Sequence, residues 1–301
     1  MFKINPFQPV IFFLALNILS VNPALSFVDE KAPAKRKIIT AGSAITEVVC
    51  ALGHCDDIIA TDRTSIYPEK MLSLPSIGYR NSINAENIIA QGPDLVLAEK
   101  GYVKAEIIDQ LESTKIEFHA LPDPLSFDDT KTLIRKIAKI LGEGPKGESL
   151  IEGMELEWQE IESSLSTVSK RPKLLFVLAH NPGAQMIAGS DTFAENLFKM
   201  ASAQNAVPQL KGFKPLNAEA LINANPDYVV LGNKALATLG GKKGALEIPG
   251  MTQTAAGKKL QFVSLDLVMM SNFGPRLMQA VRGLASQIHP EIENELSQND
   301  K

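Results

Sequence analysis

Residues 84–97 read Asn-Ala-Glu-Asn-Ile-Ile-Ala-Gln-Gly-Pro-Asp-Leu-Val-Leu, and residues 217–230 read Asn-Ala-Glu-Ala-Leu-Ile-Asn-Ala-Asn-Pro-Asp-Tyr-Val-Val. The two stretches align without a gap. Each runs from an Asn through a short helical pattern and a Pro-Asp turn into an apolar strand. Ala-Gly-Ser, at 41–43 and again at 188–190, introduces a helical pattern upstream of each copy. This duplication predicts two related lobes.

Short apolar strands alternate with helical patterns along both halves of the chain. The predicted strands are 37–40, 58–61, 95–98, 117–121, 173–179, 228–231 and 260–265. Ser43 and Ser126 are expected to cap two of the helices that lie between them. Such alternation is typical of mainly parallel, Rossmann-like sheets covered by helices. The fold class is therefore α/β.

One long helix is predicted between the two halves, from Glu148 to Leu165, because no Pro or Gly interrupts its apolar pattern after Gly153. A helix of about 20 residues spans about 30 Å and makes a stiff connection. The expected division is an N-terminal lobe at 37–144, an inter-lobe helix at 145–170, a C-terminal lobe at 171–290 and a polar tail at 291–301. A ligand cleft is expected between the lobes.

The first 26 residues have the pattern of a signal peptide. Lys3 precedes an apolar core from Pro9 to Val21, and Ala24-Leu25-Ser26 provides small residues before Phe27. We expect cleavage there, a leader at 27–36 and export to the periplasm. An uncleaved anchor is the alternative, although the apolar stretch is short for a membrane span.

Composition excludes some functions. The chain has 301 residues, a formal net charge of −4 and no block rich in Lys or Arg, which argues against a nucleic-acid surface. Motifs of serine hydrolases, zinc proteases and P-loop enzymes are missing from the sequence. We therefore expect a binding protein and not an enzyme.

The only cysteines are Cys50 and Cys55, at the end of a predicted helix that Gly53 would stop. An oxidising compartment favours a disulfide between so close a pair. Two buried thiols are the alternative, whereas two cysteines alone are too few for a zinc site.

The loop before the first repeat contains Gly78-Tyr79-Arg80, and the loop before the second contains Gly212-Phe213-Lys214. A phenolate oxygen is a hard anionic ligand for ferric iron, and tyrosinate is a known axial ligand of haem. Phe213 keeps an aromatic ring for packing but cannot bind a metal. Tyr79 is thus a candidate iron ligand, the alternative being an aromatic packed on the lobe surface.

These features together resemble the class III periplasmic binding proteins of ABC importers, a family that carries iron chelates, corrinoids and haem. The stretches Ile-Gly-Tyr-Arg at 77–80, Ile-Asn-Ala-Glu at 83–86, Leu-Ala-His at 178–180 and Phe-Gly-Pro-Arg at 273–276 are similar to its haem-transport branch. The resemblance covers about residues 37–290. It implies capture of ferric haem as the transported ligand and delivery to an inner-membrane importer.

The resemblance also implies roles for single residues. Tyr79 would be the axial ligand, and Arg80 would pair with a haem propionate or with the phenolate. His180, at the end of an apolar strand, would be a second ligand or a hydrogen-bond donor, although it is equally well explained as a loop histidine. Met269 and Phe273 would line the porphyrin face, unless they pack in the core. Rim groups for carboxylates would be Arg63, Tyr67 and Lys214, or else these are surface residues.

Glu86 and Glu219 occupy equivalent positions in the two repeats. In the resembled family such acids dock the binding protein on a permease dimer, although an acid in the first turn of a helix is also stabilised by the helix dipole. We expect a monomer. The rival interpretations are a binder of a ferric siderophore or corrinoid, and an exported haem chaperone or enzyme.

Overall fold

The computed structural model describes Met1, residues 36–179 and residues 185–292. The predicted signal peptide, nearly all of the leader, His180 and the end of the predicted tail lie outside these ranges. The lobes and the helix between them belong to one compact unit, which begins at Arg36.

The N-terminal lobe contains a sheet of four parallel strands in the order β2-β1-β3-β4. The strands are β1 (Ile38–Ala41), β2 (Ile58–Thr61), β3 (Leu95–Glu99) and β4 (Glu117–Leu121). The helices are α1 (Ser43–Val49), α2 (Ala85–Ile89), α3 (Ala105–Glu112) and α4 (Phe127–Leu141). Since the strands are parallel, all of their carboxyl ends meet at one edge.

A 23-residue helix, α5 (Gly144–Ser166), leads to the second lobe. The mixed sheet there has the order β10-β9-β5-β6-β8, and a short strand β7 also pairs with β5. Its strands are β5 (Lys173–Ala179), β6 (Gln185–Ala188), β7 (Gln204–Asn205), β8 (Phe213–Pro215), β9 (Tyr228–Gly232) and β10 (Phe262–Leu265). Its helices are α6 (Phe193–Met200), α7 (Ala218–Ala224), α8 (Asn233–Thr238), α9 (Gly241–Gly244), α10 (Ala255–Lys259), α11 (Leu267–Asn272) and α12 (Leu277–Ile288).

The α/β fold with two related lobes and a long connecting helix is thus confirmed. The predictions that rest on neighbouring residues agree best with the structure. Ser126, for example, accepts a hydrogen bond from the Asp129 amide and caps α4 as expected. The cap predicted at Ser43 is wrong, because Gly42, with φ of 120°, precedes the first helical residue. The Ser43 hydroxyl instead donates to the Thr64 carbonyl oxygen at 2.7 Å. The segment before α12 forms the helix α11.

The repeat has an atomic basis in its caps and turns. Asn84 and Asn217 each accept a hydrogen bond from the amide three residues on, at 2.8 and 2.7 Å. Asp94 accepts one from the Lys37 amide at 2.8 Å, and its counterpart Asp227 accepts one from the Lys173 amide at 2.8 Å. The Pro-Asp turn of each repeat therefore fixes the start of the first strand of its lobe.

One apolar core continues through both lobes. Side chains alternate along each strand, so Ile38 and Leu95 face the shared core while Ile39 and Val96 face the outer helices of their own lobe. Members of the shared core from the other parts of the chain include Ile151, Ile161, Phe176, Val230 and Met278. Separating the lobes would expose this core, so burial of apolar surface opposes any large rotation between them.

A buried ion pair joins the lobes beside this core. The Nη2 and Nε atoms of Arg276 donate to the Glu47 carboxylate of α1, at 2.5 and 2.9 Å, and Asn272 donates to it at 2.9 Å. Burial raises the pKa of Glu47 despite the ion pair. The Arg276 guanidinium also stacks on the Tyr67 ring at 3.8 Å. The bidentate geometry is one that Lys cannot reproduce.

Cys50 and Cys55 form a disulfide, so the disulfide interpretation is confirmed. It closes the end of α1, where Gly53 has a φ of 94° as expected for a helix stop. The bond therefore holds the carboxyl end of the helix that carries Glu47.

Among the helices within 36–179 and 185–292, none has the length and apolar character needed to cross a membrane.

We predict that Arg276→Met lowers the free energy of unfolding by about 3–5 kcal/mol, because it leaves the buried Glu47 carboxylate without its cation. Adding Glu47→Gln should recover more than half of this loss, since a neutral amide still accepts the Asn272 hydrogen bond. Urea titration of the two single variants and the double variant measures both values. A cost below about 1 kcal/mol for Arg276→Met would show that the pair does not hold the lobes together.

Candidate functional site

The Tyr79-Arg80 turn is exposed but firmly anchored. Ile77 before it and Ile83 after it are buried in the core of the N-terminal lobe. Gly78 has a φ of 117°, and a Cβ there would lie 3.2 Å from the Ser82 carbonyl oxygen, so this position requires glycine. The turn therefore cannot shift without removing an isoleucine from the core.

Hydrogen bonds complete the anchoring. The Tyr79 carbonyl oxygen accepts from the Ser82 amide at 2.8 Å and from the Ser82 hydroxyl at 2.7 Å. The Arg63 amide donates to the Gly78 carbonyl oxygen at 2.9 Å, which ties the turn to the segment after β2. The Tyr79 side chain is 49% exposed. Its phenol is thus presented to solvent by a rigid backbone.

Arg80 has a φ of 36°, a left-handed conformation that is uncommon for an arginine and costs on the order of 1 kcal/mol. Its guanidinium carbon lies 4.6 Å from the centre of the Tyr102 ring. Among the described residues, its closest carboxylate is that of Glu99, 4.0 Å away, and the Arg80 side chain is 53% exposed. The strained backbone aims a positive charge at the carboxyl edge of the sheet.

Three acidic residues follow strands that end at this edge: Asp62 after β2, Glu99 at the end of β3 and Asp123 after β4. Burial raises the pKa of Glu99 to about 7, the Asp123 charge adds to this effect, and Arg80 opposes it. Burial also raises the pKa of Asp123. The site therefore combines the Arg80 cation with two carboxyl groups, those of Glu99 and Asp123, whose pKa values are raised by burial.

Tyr102 lies under the guanidinium and is buried. Burial raises the pKa of its phenol to about 12, so it stays protonated at neutral pH. Its hydroxyl is 3.0 Å from the Thr64 hydroxyl, which donates to Asp62 at 2.5 Å. Tyr102 is therefore a support for Arg80 and not a candidate metal ligand.

The second copy of the loop has a different role. Phe213 is half-buried, with ring centres 6.4 Å from Phe176 and 6.1 Å from Phe193. Its expected packing role is confirmed. The two related loops therefore differ in their aromatic rings, because that of Phe213 packs on other rings and that of Tyr79 is exposed.

The structure does not support Phe273 as a lining residue. Its side chain is 0% exposed, and its carbonyl oxygen accepts a hydrogen bond from the Thr130 hydroxyl of α4 at 2.6 Å. Phe273 therefore packs in the shared core, where it cannot contact a ligand in the cleft. Met269 in α11 is half-buried and also packs against that core; its contact with a ligand stays a prediction.

The remaining candidates lie on the surface or outside the described ranges. Arg63 and Lys214 are exposed, and Tyr67 is 45% exposed although Arg276 stacks on its ring. Glu86 and Glu219 are both exposed in the first turns of α2 and α7. The structure says nothing of His180.

Sequence reasoning missed Glu99 and Tyr102. A signal for Glu99 was present, because an acid one residue beyond a predicted parallel strand lies at the edge where ligands bind. Tyr102 follows Gly101 in the same connection, but its contact with Arg80 depends on the folding of a separate loop.

A cavity of about 670 Å³ lies apart from Tyr79 and Arg80, between α4, α5 and α6, with Phe127 and Trp158 in its wall. Tyr79 and Arg80 therefore belong to an open surface of the N-terminal lobe that is separate from this cavity.

A family model for periplasmic binding proteins matches residues 38–268. The chain belongs to the periplasmic binding protein family. In sequence, this binding protein is 28% identical over 264 residues to an uncharacterized ABC transporter substrate-binding lipoprotein, YvrC, of Bacillus subtilis strain 168. The match covers 86% of this chain and 82% of YvrC.

Solved structures similar to the binding protein include the periplasmic haem-binding protein RhuT of Roseiflexus sp. RS-1 in its apo form. The TM-score is 0.80 at 30% identity, over 85% of this chain and 98% of RhuT. The periplasmic haem-binding protein BhuT in complex with two haems also gives a TM-score of 0.80 at 30% identity, over 87% of this chain and 99% of BhuT. The resemblance to the haem branch is thus confirmed at the level of fold.

We predict that Glu99→Gln makes the binding protein more stable than the wild type at high pH. The raised pKa means that the folded wild-type protein loses stability as the pH rises from the unfolded value, about 4.3, through about 7. The variant should be more stable by about 2 kcal/mol near pH 8.5, with the difference vanishing near pH 4. Urea titrations across this range measure it, with the exposed Glu86→Gln as control. A pH-independent difference would contradict the burial argument.

Proposed function

We propose that this binding protein captures ferric haem between its lobes in the periplasm and delivers it to an inner-membrane ABC importer. The observation that carries the proposal is the Tyr79 phenol, half-exposed on a rigid turn at the carboxyl edge of the N-terminal sheet. The two solved structures that this chain matches over nearly their whole length are of haem-binding proteins. This similarity supports haem over other iron chelates as the cargo.

Tyr79 would supply the axial oxygen. Ferric iron is a hard acid and accepts a phenolate in place of the phenolic proton. Arg80, the next residue, would partner the iron-bound phenolate, and the fixed backbone of the turn means that little ordering is needed on binding.

The porphyrin periphery would meet charged groups. Arg80 suits a haem propionate because its planar guanidinium can donate two parallel hydrogen bonds to a carboxylate. Arg63 is a second exposed cation after β2, and Tyr67 and Lys214 are further rim candidates. His180 would approach the opposite face of the iron from the C-terminal lobe, and Met269 would contact the macrocycle.

A binding role without catalysis is supported by the family to which the chain belongs. Glu86 and Glu219, related by the repeat, would each contact one half of a symmetric permease dimer. The binding protein would act as a monomer after removal of its signal peptide.

An absorption titration of the mature protein with ferric haem tests the cargo and its ligand together. The wild type should give saturable binding with a high-spin, tyrosinate-type spectrum. Tyr79→Phe should lose this spectrum and bind at least about tenfold more weakly, because a direct iron ligand is removed. Tyr228→Phe is the control, since it deletes a partly buried phenol at the start of β9, which is not among the candidate site residues.

Each other outcome is informative. If Tyr79→Phe leaves haem binding unchanged, haem remains the cargo but Tyr79 is not the iron ligand. His180→Ala is then the next variant to test. Saturable binding of cobalamin or of a ferric siderophore, without binding of haem, would support the rival cargo and overturn the proposal.

The docking role has its own test. Glu86→Lys and Glu219→Lys should leave haem affinity within about twofold of the wild type, because both side chains are exposed on short helices. They should abolish stimulation of the importer's ATPase in proteoliposomes. Full stimulation by the double variant would exclude these acids from docking.

A further inference from the structure

Arg80 and Arg276 each contact a Tyr ring, but they differ in how many of their N–H donors form hydrogen bonds to carboxylates. Arg276 gives both arms of its fork to Glu47 and is largely buried. Arg80 is more than half-exposed, and within the described residues no carboxylate oxygen lies closer to it than that of Glu99 at 4.0 Å. That distance permits attraction but is too long for a hydrogen bond. Within the described residues, Arg80 thus forms a hydrogen bond with the Tyr102 side chain but gives no donor to a carboxylate.

A long, exposed arginine would normally sample many rotamers, and ordering it on binding costs free energy. The Tyr102 ring restricts that freedom, because the guanidinium carbon lies 4.6 Å from the ring centre. An arginine over an aromatic face is held by cation–π attraction and keeps its edge N–H groups free to donate. The ring contact, together with a hydrogen bond between the two side chains, therefore orients Arg80 without engaging a carboxylate.

The Tyr102 ring is itself fixed by a chain of hydrogen bonds that leads into the sheet. Its hydroxyl contacts the Thr64 hydroxyl, and Asp62 accepts from both the Thr64 hydroxyl and the Thr64 amide, at 2.5 and 2.8 Å. The other Asp62 oxygen accepts from the Gly42 amide at 3.0 Å and from the Ser65 hydroxyl at 2.6 Å. Asp62, Ser65 and Tyr102 are all buried.

We propose that Tyr102 is a positioning residue, which holds the Arg80 guanidinium ready to receive a carboxylate of the cargo and thereby sets a preference for porphyrins with free propionates. The proposal rests on the proposed function, because it concerns the same cargo. Tyr102 touches neither the iron nor the porphyrin in this arrangement and acts through Arg80 alone.

The test compares ferric haem with its dimethyl ester, in which both propionates are blocked. The wild type should bind haem more tightly than the ester. Tyr102→Met and Tyr102→Leu, which remove the ring, should weaken haem binding roughly three- to thirtyfold, the range of a cation–π contact. Affinity for the ester should not change, and the Tyr79-dependent spectrum should persist.

Two further variants sharpen the comparison. Arg80→Ala should abolish the preference for haem over the ester, and Tyr102→Phe, which keeps the ring, should retain most of it. A general structural role for Tyr102 would weaken both ligands equally in Tyr102→Met and Tyr102→Leu. That result, or an undiminished preference in both variants, would overturn the proposal.

A measurement on the wild-type protein removes any dependence on the folding of these variants. The side-chain protons of Arg80, assigned with Arg80→Lys, should show an upfield ring-current shift in the NMR spectrum. Unshifted, rapidly averaged resonances would mean that Tyr102 does not hold the guanidinium. If the wild type binds neither porphyrin, the proposed function fails, and this shift still decides whether Tyr102 positions Arg80.

Discussion

The apolar core shared by the two lobes is the constraint on which the rest of the structure depends. Every second residue of a strand points its side chain into this core, and α5 contributes Ile151 and Ile161. Glu47 and Arg276 then join the lobes at its border with a buried bidentate pair. A hinge that opened widely would expose apolar surface and separate buried charges at the same time, so the lobes are expected to move as one body.

Because the lobes are expected to move as one body, recognition of a ligand depends on groups already in place at the exposed edge of the N-terminal sheet. A protein that does not close around its cargo needs groups that are already in place, which lowers the ordering cost of binding. The Tyr79 turn meets this need through its buried isoleucines and the glycine at Gly78. Arg80 meets it through its strained backbone and its stacking on Tyr102. The chain thus uses Arg276 to join the lobes, and in the proposed function Arg80 would contact the ligand.

The features that the sequence predicted are those determined by neighbours in the chain. The Ser126 cap and the strands around the Pro-Asp turns depend on residues within a few positions. The Ser43 cap failed because a distant carbonyl oxygen, that of Thr64, competes for its hydroxyl. Within the candidate site, the exposure of Tyr79 agreed with its expected role, whereas the support under Arg80 was not foreseen.

The long-range contacts could not be predicted for a physical reason. Glu47 and Arg276 are 229 positions apart, and neither residue type indicates its partner. Phe273 looked like a lining residue because nothing local shows that α4 covers it. Such contacts are decided by how helices pack on two separate sheets, and one sequence does not contain that information in a local pattern.

The most direct test of the whole account is a crystal structure of the mature protein with ferric haem. The account predicts iron bonded to the Tyr79 oxygen, a propionate on Arg80, the guanidinium still stacked on Tyr102, and the Glu47–Arg276 pair intact with the angle between the lobes unchanged. Haem bound elsewhere, or bound only after the lobes rotate and this pair breaks, would contradict it.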